Sequence, residues 1–136
     1  MMQTYEGGCH CGRIRFRIRA DLAAPGAIGE CTCSICRKKA ILHITTARES
    51  FTLLRGDGEM TTYRFNTGKA QHTFCTTCGM HPFYVPRADP DKFSVNARCL
   101  DDYDPAVMRP TRVFDGAAWE AAYAARERNG QAQGSP

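Results

Sequence analysis

No apolar run in the 136 residues approaches the ~18 that a membrane span needs. The opening segment, Met1-Met2-Gln3-Thr4-Tyr5-Glu6, lacks the charged, apolar and small-residue regions of a secretory leader. These absences predict a soluble, cytoplasmic protein. Internal repeats of solenoid length and interdomain linkers are also missing. One domain is therefore expected, over residues 1–128, with a flexible tail over 129–136. Charge of one sign is in short supply, with 18 Lys/Arg against 14 Asp/Glu and a pI near 8.7. The excess falls in residues 1–69, with eleven Lys/Arg and six Asp/Glu. That bias suits an anionic small molecule and falls short of a strong nucleic-acid domain. Hydrophobic residues at 43% and charged residues at 24% are ordinary globular values, which excludes wholesale disorder.

Helix is scarce as well. The pattern predicts strands at 13–19, about 27–32, 41–47, 51–55, 60–65, 70–75, 82–86 and 93–97. The clearest is Arg13 to Arg19, where Ile14, Phe16 and Ile18 share one face and four arginines the other. Turns are expected at Gly56-Asp57-Gly58 and Asn66-Thr67-Gly68, and an irregular loop from Pro86 to Asp91. Asp104-Pro105 can open a short turn, and an Ala-rich helix is expected from 117 to about 127. The whole reads as one mainly β domain.

Cysteine is plentiful: eight, at 9, 11, 31, 33, 36, 75, 78 and 99. Without a leader, their short spacings favour metal over disulfides, and the usual iron–sulfur spacings are absent. On an extended segment Cys9 and Cys11 face the same way. Cys75-Thr76-Thr77-Cys78-Gly79 has the C-x-x-C-G form of a zinc knuckle, whose glycine permits the turn beneath two sulfurs. Cys9, Cys11, Cys75 and Cys78 thus make a closed set for a structural Zn²⁺. Cys31, Cys33 and Cys36 bring three sulfurs together within six residues, leaving a fourth position open, as at a catalytic zinc. Three thiolates make the ion a modest Lewis acid, better suited to holding a substrate thiol than to making hydroxide. Closure by a fourth ligand, with Cys99, His81 or His43 as candidates, would make this site structural too. Cys99 otherwise reads as a buried small hydrophobe.

Gly8-Cys9-His10-Cys11-Gly12, Cys31-Thr32-Cys33-Ser34-Ile35-Cys36-Arg37, Phe74 through Gly79 and Val95 through Asp102 occur in an order that resembles the glutathione-dependent formaldehyde-activating enzyme / centromere protein V family. The resemblance covers about residues 5–120. It implies a β-rich fold of packed antiparallel sheets around the zinc–cysteine sites, closed by a short C-terminal helix. It also implies two Zn²⁺ per chain, paired as above, one structural and one catalytic. The implied reaction joins glutathione to formaldehyde as S-(hydroxymethyl)glutathione, a carbon–sulfur lyase reaction run backwards. A glycine common in the family a few residues past the third catalytic cysteine is replaced by Ala40.

An anionic thiol substrate needs cationic anchors. Arg37 and Lys39 beside the three-cysteine cluster, and Arg98, are the candidates, with Arg87 in a nearby loop. His81 and Asp101 are candidate proton-handling groups, although Asp101 can equally serve the turn near Asp104. A non-catalytic zinc module binding protein or nucleic acid is the competing reading. It rests on the Arg13/Arg15/Arg17/Arg19 stripe, which lacks interleaved aromatics. A redox sensor built on zinc thiolates is a third.

Overall fold

The computed structural model describes residues 1–129, so the expected tail beyond Asn129 lies outside the described residues. The strands are β1 (Gln3–Gly8), β2 (Arg15–Ala20), β3 (Gly29–Cys31), β4 (His43–Ala47), β5 (Phe51–Arg55), β6 (Met60–Tyr63), β7 (His72–Cys75), β8 (Phe83–Tyr84), β9 (Lys92–Asn96) and β10 (Arg112–Phe114). They form three sheets, ordered β1-β2-β5, β10-β3-β4-β9-β8 and β6-β7. Every pair is antiparallel except β10 with β3, which run parallel.

The alternation of β2 sets the core. Phe16 and Ile18 are fully buried, while Arg17 and Arg19 are exposed. From the second sheet Ile44, Phe83 and Val95 join the same cluster, so the two sheets share one apolar interior. Phe51 seals it, packing on Phe83 and Phe93 with ring centroids 4.8 and 4.4 Å apart. Asn66, Gly56, Gly58 and Gly68 all take positive φ, as the expected turns require. Asp104 opens its turn by accepting from the Ala106 N–H at 2.9 Å.

Three elements depart from the sequence expectation. Strand β1 carries little apolar alternation and is held by its register on β2, Gln3 opposite Ala20 through Gly8 opposite Arg15. Strand β10 is three residues long and borrows its partner from far upstream. Helix is not confined to the C-terminus, because α1 (Ser34–Lys39) starts inside the three-cysteine motif. Cys33 is its N-cap, its sulfur accepting from the Cys36 N–H, and Ala40 closes it in the left-handed region at φ 54°. The basic run Arg37-Lys38-Lys39 then lies at the helix C-terminus, where the dipole favours cations.

The C-terminal helix α2 (Trp119–Arg128) follows a 3₁₀ turn over Gly116–Ala118 and matches the expected one. It docks through Trp119, Ala122 and Tyr123, which pack on the cluster of Cys31, Cys36 and Phe114, and through an ion pair. Arg126 donates to Asp89 at 3.0 Å, both side chains 8% exposed, and this ties α2 to the 86–91 loop.

Candidate metal centres

The first centre is assembled from two distant segments. Cys9 and Cys11 follow β1; Cys75 ends β7, and Cys78 lies in the turn beyond it. The four sulfurs lie within 4.8 Å of one another, with Cys11 3.6 Å from both Cys9 and Cys75. Backbone N–H groups point at the sulfurs, Ile14 to Cys9 at 3.3 Å and Cys78 to Cys75 at 3.4 Å. The Arg13 backbone N–H holds the Cys11 thiol below its ordinary value. Gly79, at φ +78°, returns its N–H to the Cys75 carbonyl at 2.8 Å and completes the knuckle. None of the eight cysteines is joined in a disulfide, and sulfurs 3.6 Å apart stand well beyond the length of an S–S bond.

The second centre repeats the knuckle in a helical setting. Cys31 ends β3, Cys33 caps α1 and Cys36 lies in its first turn. The Cys36 N–H reaches the Cys33 sulfur at 3.4 Å, the same bond and length as in the first centre. The three sulfurs also lie within 4.8 Å of one another. Hydrogen bonds from Cys31 and Cys36 pull Cys33 far below an ordinary thiol, while the same bonds and burial push Cys36 far up. A side chain at Gly116 would collide with the Cys31 sulfur and the Cys33 Cβ, so only glycine lets the chain pass there.

Among the described residues no fourth Cys, His, Asp or Glu atom joins this cluster. Each candidate closing ligand has another contact, although the Nε2 of His43 is buried without a hydrogen-bond partner. Cys99 donates to the His81 carbonyl at 3.7 Å, and burial pushes its thiol up to about 12. The Nδ1 of His43 lies 3.0 Å from the Ser94 hydroxyl and 3.2 Å from that of Tyr84, and burial pushes its pKa down to about 3. His81 contacts Lys39 at 3.5 Å through Nδ1, and burial, then the Lys39 charge, lower it to about 4. All three histidine and cysteine groups are therefore neutral near pH 7.

The three-cysteine cluster forms one wall of a cavity of about 400 Å³. The other lining segments are Phe65 to Thr67 with His72, then Tyr84 and Arg87, then Gly116, Ala117 and Trp119. Among the lining residues, Arg37 and Arg87 are cationic and none is Asp or Glu. Of the sequence-derived substrate residues, Arg37 and Arg87 line this space, while Lys39, Arg98, His81 and Asp101 do not. Lys39 packs over the Tyr84 ring, 5.5 Å from its centroid, and burial lowers its pKa. Arg98 donates to the Ala40 carbonyl at 2.9 Å, and Asp101 is clasped by Arg15. The arginine stripe is partly neutralised, since Arg15 and Arg17 form ion pairs with Asp101 and Glu6. Tyr84 and Trp119 belong to no spacing motif and were not singled out by the sequence, while His72, in an expected strand, reads there as a packing or surface residue and instead lines the cavity.

Comparison with known proteins agrees with this geometry. A crystal structure of a Rhodobacter sphaeroides protein superposes with a TM-score of 0.70 at 29% identity, covering 79% of this chain and 98% of that one. A Halomonas elongata protein, whose name places it with the glutathione-dependent formaldehyde-activating enzymes, is 51% identical over 35 residues. That match takes in 26% of this chain and 21% of the relative, so it spans about a fifth of the relative's length. The family model for the glutathione-dependent formaldehyde-activating enzymes (GFA) matches residues 4–119, and the chain belongs to that family.

Proposed function

We propose that this protein is a zinc-dependent, carbon–sulfur lyase-type enzyme that adds a thiol, glutathione foremost, to a small aldehyde. The observation that carries this reading is the open three-sulfur cluster on the wall of a cavity with two guanidiniums and no lining carboxylate. The donor sets suit Zn²⁺: four convergent thiols aided by N–H···S bonds at Cys9, Cys11, Cys75 and Cys78, of which only Cys11 is exposed, and three buried or half-buried ones at Cys31, Cys33 and Cys36. Bound at the second set, Zn²⁺ would supply the positive charge that favours a substrate sulfur as thiolate. A cytoplasmic location, where thiols stay reduced, belongs to the same reading.

The chain's own residues do the rest. Arg37 at the cavity draws in an anionic thiol. The aromatic and aliphatic walls hold the two reactants together, and proximity supplies most of the acceleration of an intrinsically easy addition. In that addition the carbon–sulfur bond forms, the carbonyl π bond breaks, and the thiol proton ends on the new hydroxyl. His72 is the proton-handling group in this reading rather than His81 or Asp101, because of the three only His72 lines the cavity. It is 4% exposed, its Nδ1 has no partner, and burial lowers its pKa to about 4. A neutral imidazole offers one donor and one acceptor, as a proton relay requires.

The test is S-(hydroxymethyl)glutathione formation by zinc-replete protein, measured above the spontaneous rate. Wild type should exceed it and Cys33→Ala should not. Absence of any excess rate with glutathione or other common thiols would turn the assignment toward a non-catalytic zinc module.

A further inference from the structure

Arg87 sits in the irregular 86–91 loop, yet it is one of the most constrained cations in the molecule. Its guanidinium carbon lies 3.5 Å from the centroid of the Trp119 ring. Trp119 in turn stacks on Tyr123 at 4.8 Å, and Arg126 lies 5.0 Å from the Tyr123 centroid. Residues 119, 123 and 126 recur at i, i+4 and i+7, so one face of α2 carries the whole ladder. The Arg126–Asp89 pair locks that helix to the loop two residues beyond Arg87. The loop therefore cannot carry Arg87 away from the cavity without breaking a buried ion pair.

Among the described residues Arg87 lacks an acceptor for its Nε. Its side chain is 19% exposed, and its Nε is buried without a hydrogen-bond partner. Among the described residues its one carboxylate contact is Nη2 to Glu120 at 3.5 Å, the limit of a hydrogen bond, and Glu120 is itself 80% exposed. A half-desolvated guanidinium with an idle donor is costly unless something supplies an acceptor. The cavity that Arg87 lines has no acidic residue to do so.

We propose that Arg87, laid on Trp119, is the carboxylate-recognising residue of this cavity, and that it restricts the substrates to thiols bearing an anionic group at a distance from the sulfur. The proposal rests on the thiol reading above and adds the residue that selects among thiols. A carboxylate meeting the Nε/Nη edge forms two parallel charge-assisted bonds, which neither an ester nor an amide reproduces.

Trp119 is the single tryptophan of the chain, so its fluorescence reports directly on this contact. Glutathione and its diethyl ester are titrated into zinc-replete wild type, Arg87→Met, Arg87→Lys and Lys38→Met, the last removing an equal charge from outside the cavity. Wild type and Lys38→Met should bind glutathione about 10-fold more tightly than the ester, the scale of a charge-assisted pair. In Arg87→Met that ratio should fall several-fold, the field of Arg37 leaving a small residual preference, and in Arg87→Lys to an intermediate value, since lysine keeps the charge without the fork. Circular dichroism of each variant shows that the fold is kept. An unchanged ratio in Arg87→Met, no preference in wild type, or no response of Trp119 to millimolar glutathione would each overturn the proposal. S-methylglutathione separates the two layers. If it binds wild type as tightly as glutathione, the thiol reading fails, while the ester ratio still decides the role of Arg87.

Discussion

Arg15 grips Asp101 through both carboxylate oxygens, Nη1 to Oδ1 at 2.9 Å and Nη2 to Oδ2. The hydrogen bonds and charge of Arg15 hold the Asp101 carboxyl below its ordinary value. A carboxyl depressed on folding adds stability above its unfolded pKa, about 3.9, and loses it as the pH falls through the folded value. The Asp101 side chain is 51% exposed, so solvent screening keeps the contribution within about 1 kcal/mol. Asp101→Asn should accordingly lower the urea midpoint slightly at pH 7 and by less at pH 3. Equal losses at the two pH values would show that ionic pairing is not what Asp101 contributes.

The first cysteine centre clips the end of β1 to the end of β7, Cys11 and Cys75 standing 64 positions apart in the chain. Metal binding at such a clip is folding free energy, because the unfolded chain has no preformed site. Cys78→Ser should lower the melting temperature by about 10 °C or more. Metal content should fall from two ions per chain toward one, the ion at Cys31, Cys33 and Cys36 remaining. A variant with wild-type melting and metal content would remove the structural role of this centre.

The two centres were legible because their information is local. C-x-C and C-x-x-C spacings keep sulfurs close in any compact backbone, although Cys9 and Cys11 converge across a turn, with the Gly12 N–H 3.3 Å from the Cys9 carbonyl, rather than on the extended segment the sequence suggested. Strands with strong alternation, such as Phe16 and Ile18 in β2, were legible for the same reason. The helix α1 was hidden because its cap is a thiol, Cys33, a role usually held by Ser, Thr, Asp or Asn. Strands β1 and β10 depend on partners far away in sequence. The cavity was the least legible part. His72, Arg87 and Trp119 come from three separate segments and are joined only by tertiary packing.

Gly116 offers a way to damage the second centre alone. A Cβ there meets the Cys31 sulfur and the Cys33 Cβ, and the backbone N of Cys33 at 3.2 Å. The side chains it would strike belong to the cluster itself, which must then spread. Gly116→Ala should cost about 1–3 kcal/mol, the usual range for overpacking. It should also weaken metal retention and thiol binding at Cys31, Cys33 and Cys36, leaving the Cys9/Cys11/Cys75/Cys78 ion in place. Stepwise chelation, followed by metal release per site, checks this. Loss from both centres together would mean that the damage is global.

Ala40 runs the other way, because here a glycine should help. Its φ of 54° and ψ of 38° place it in the left-handed region, where a Cβ crowds the following carbonyl at a cost of about 1–2 kcal/mol. The backbone is committed to that conformation, since the Ala40 N–H closes α1 on the Cys36 carbonyl at 2.9 Å and its own carbonyl accepts from Arg98 Nε. Neither bond uses the methyl group. Replacing Ala by Gly also frees the unfolded chain, which costs about 0.4–1 kcal/mol and offsets part of the gain. The net expectation for Ala40→Gly is a stabilisation of about 0.5–1 kcal/mol, a rise of a few degrees in melting temperature. Because the residue ends the helix that carries Cys36, the gain should also slow release of the second metal ion. A fall in melting temperature instead would mean that the entropy term outweighs the relief of strain at the helix end.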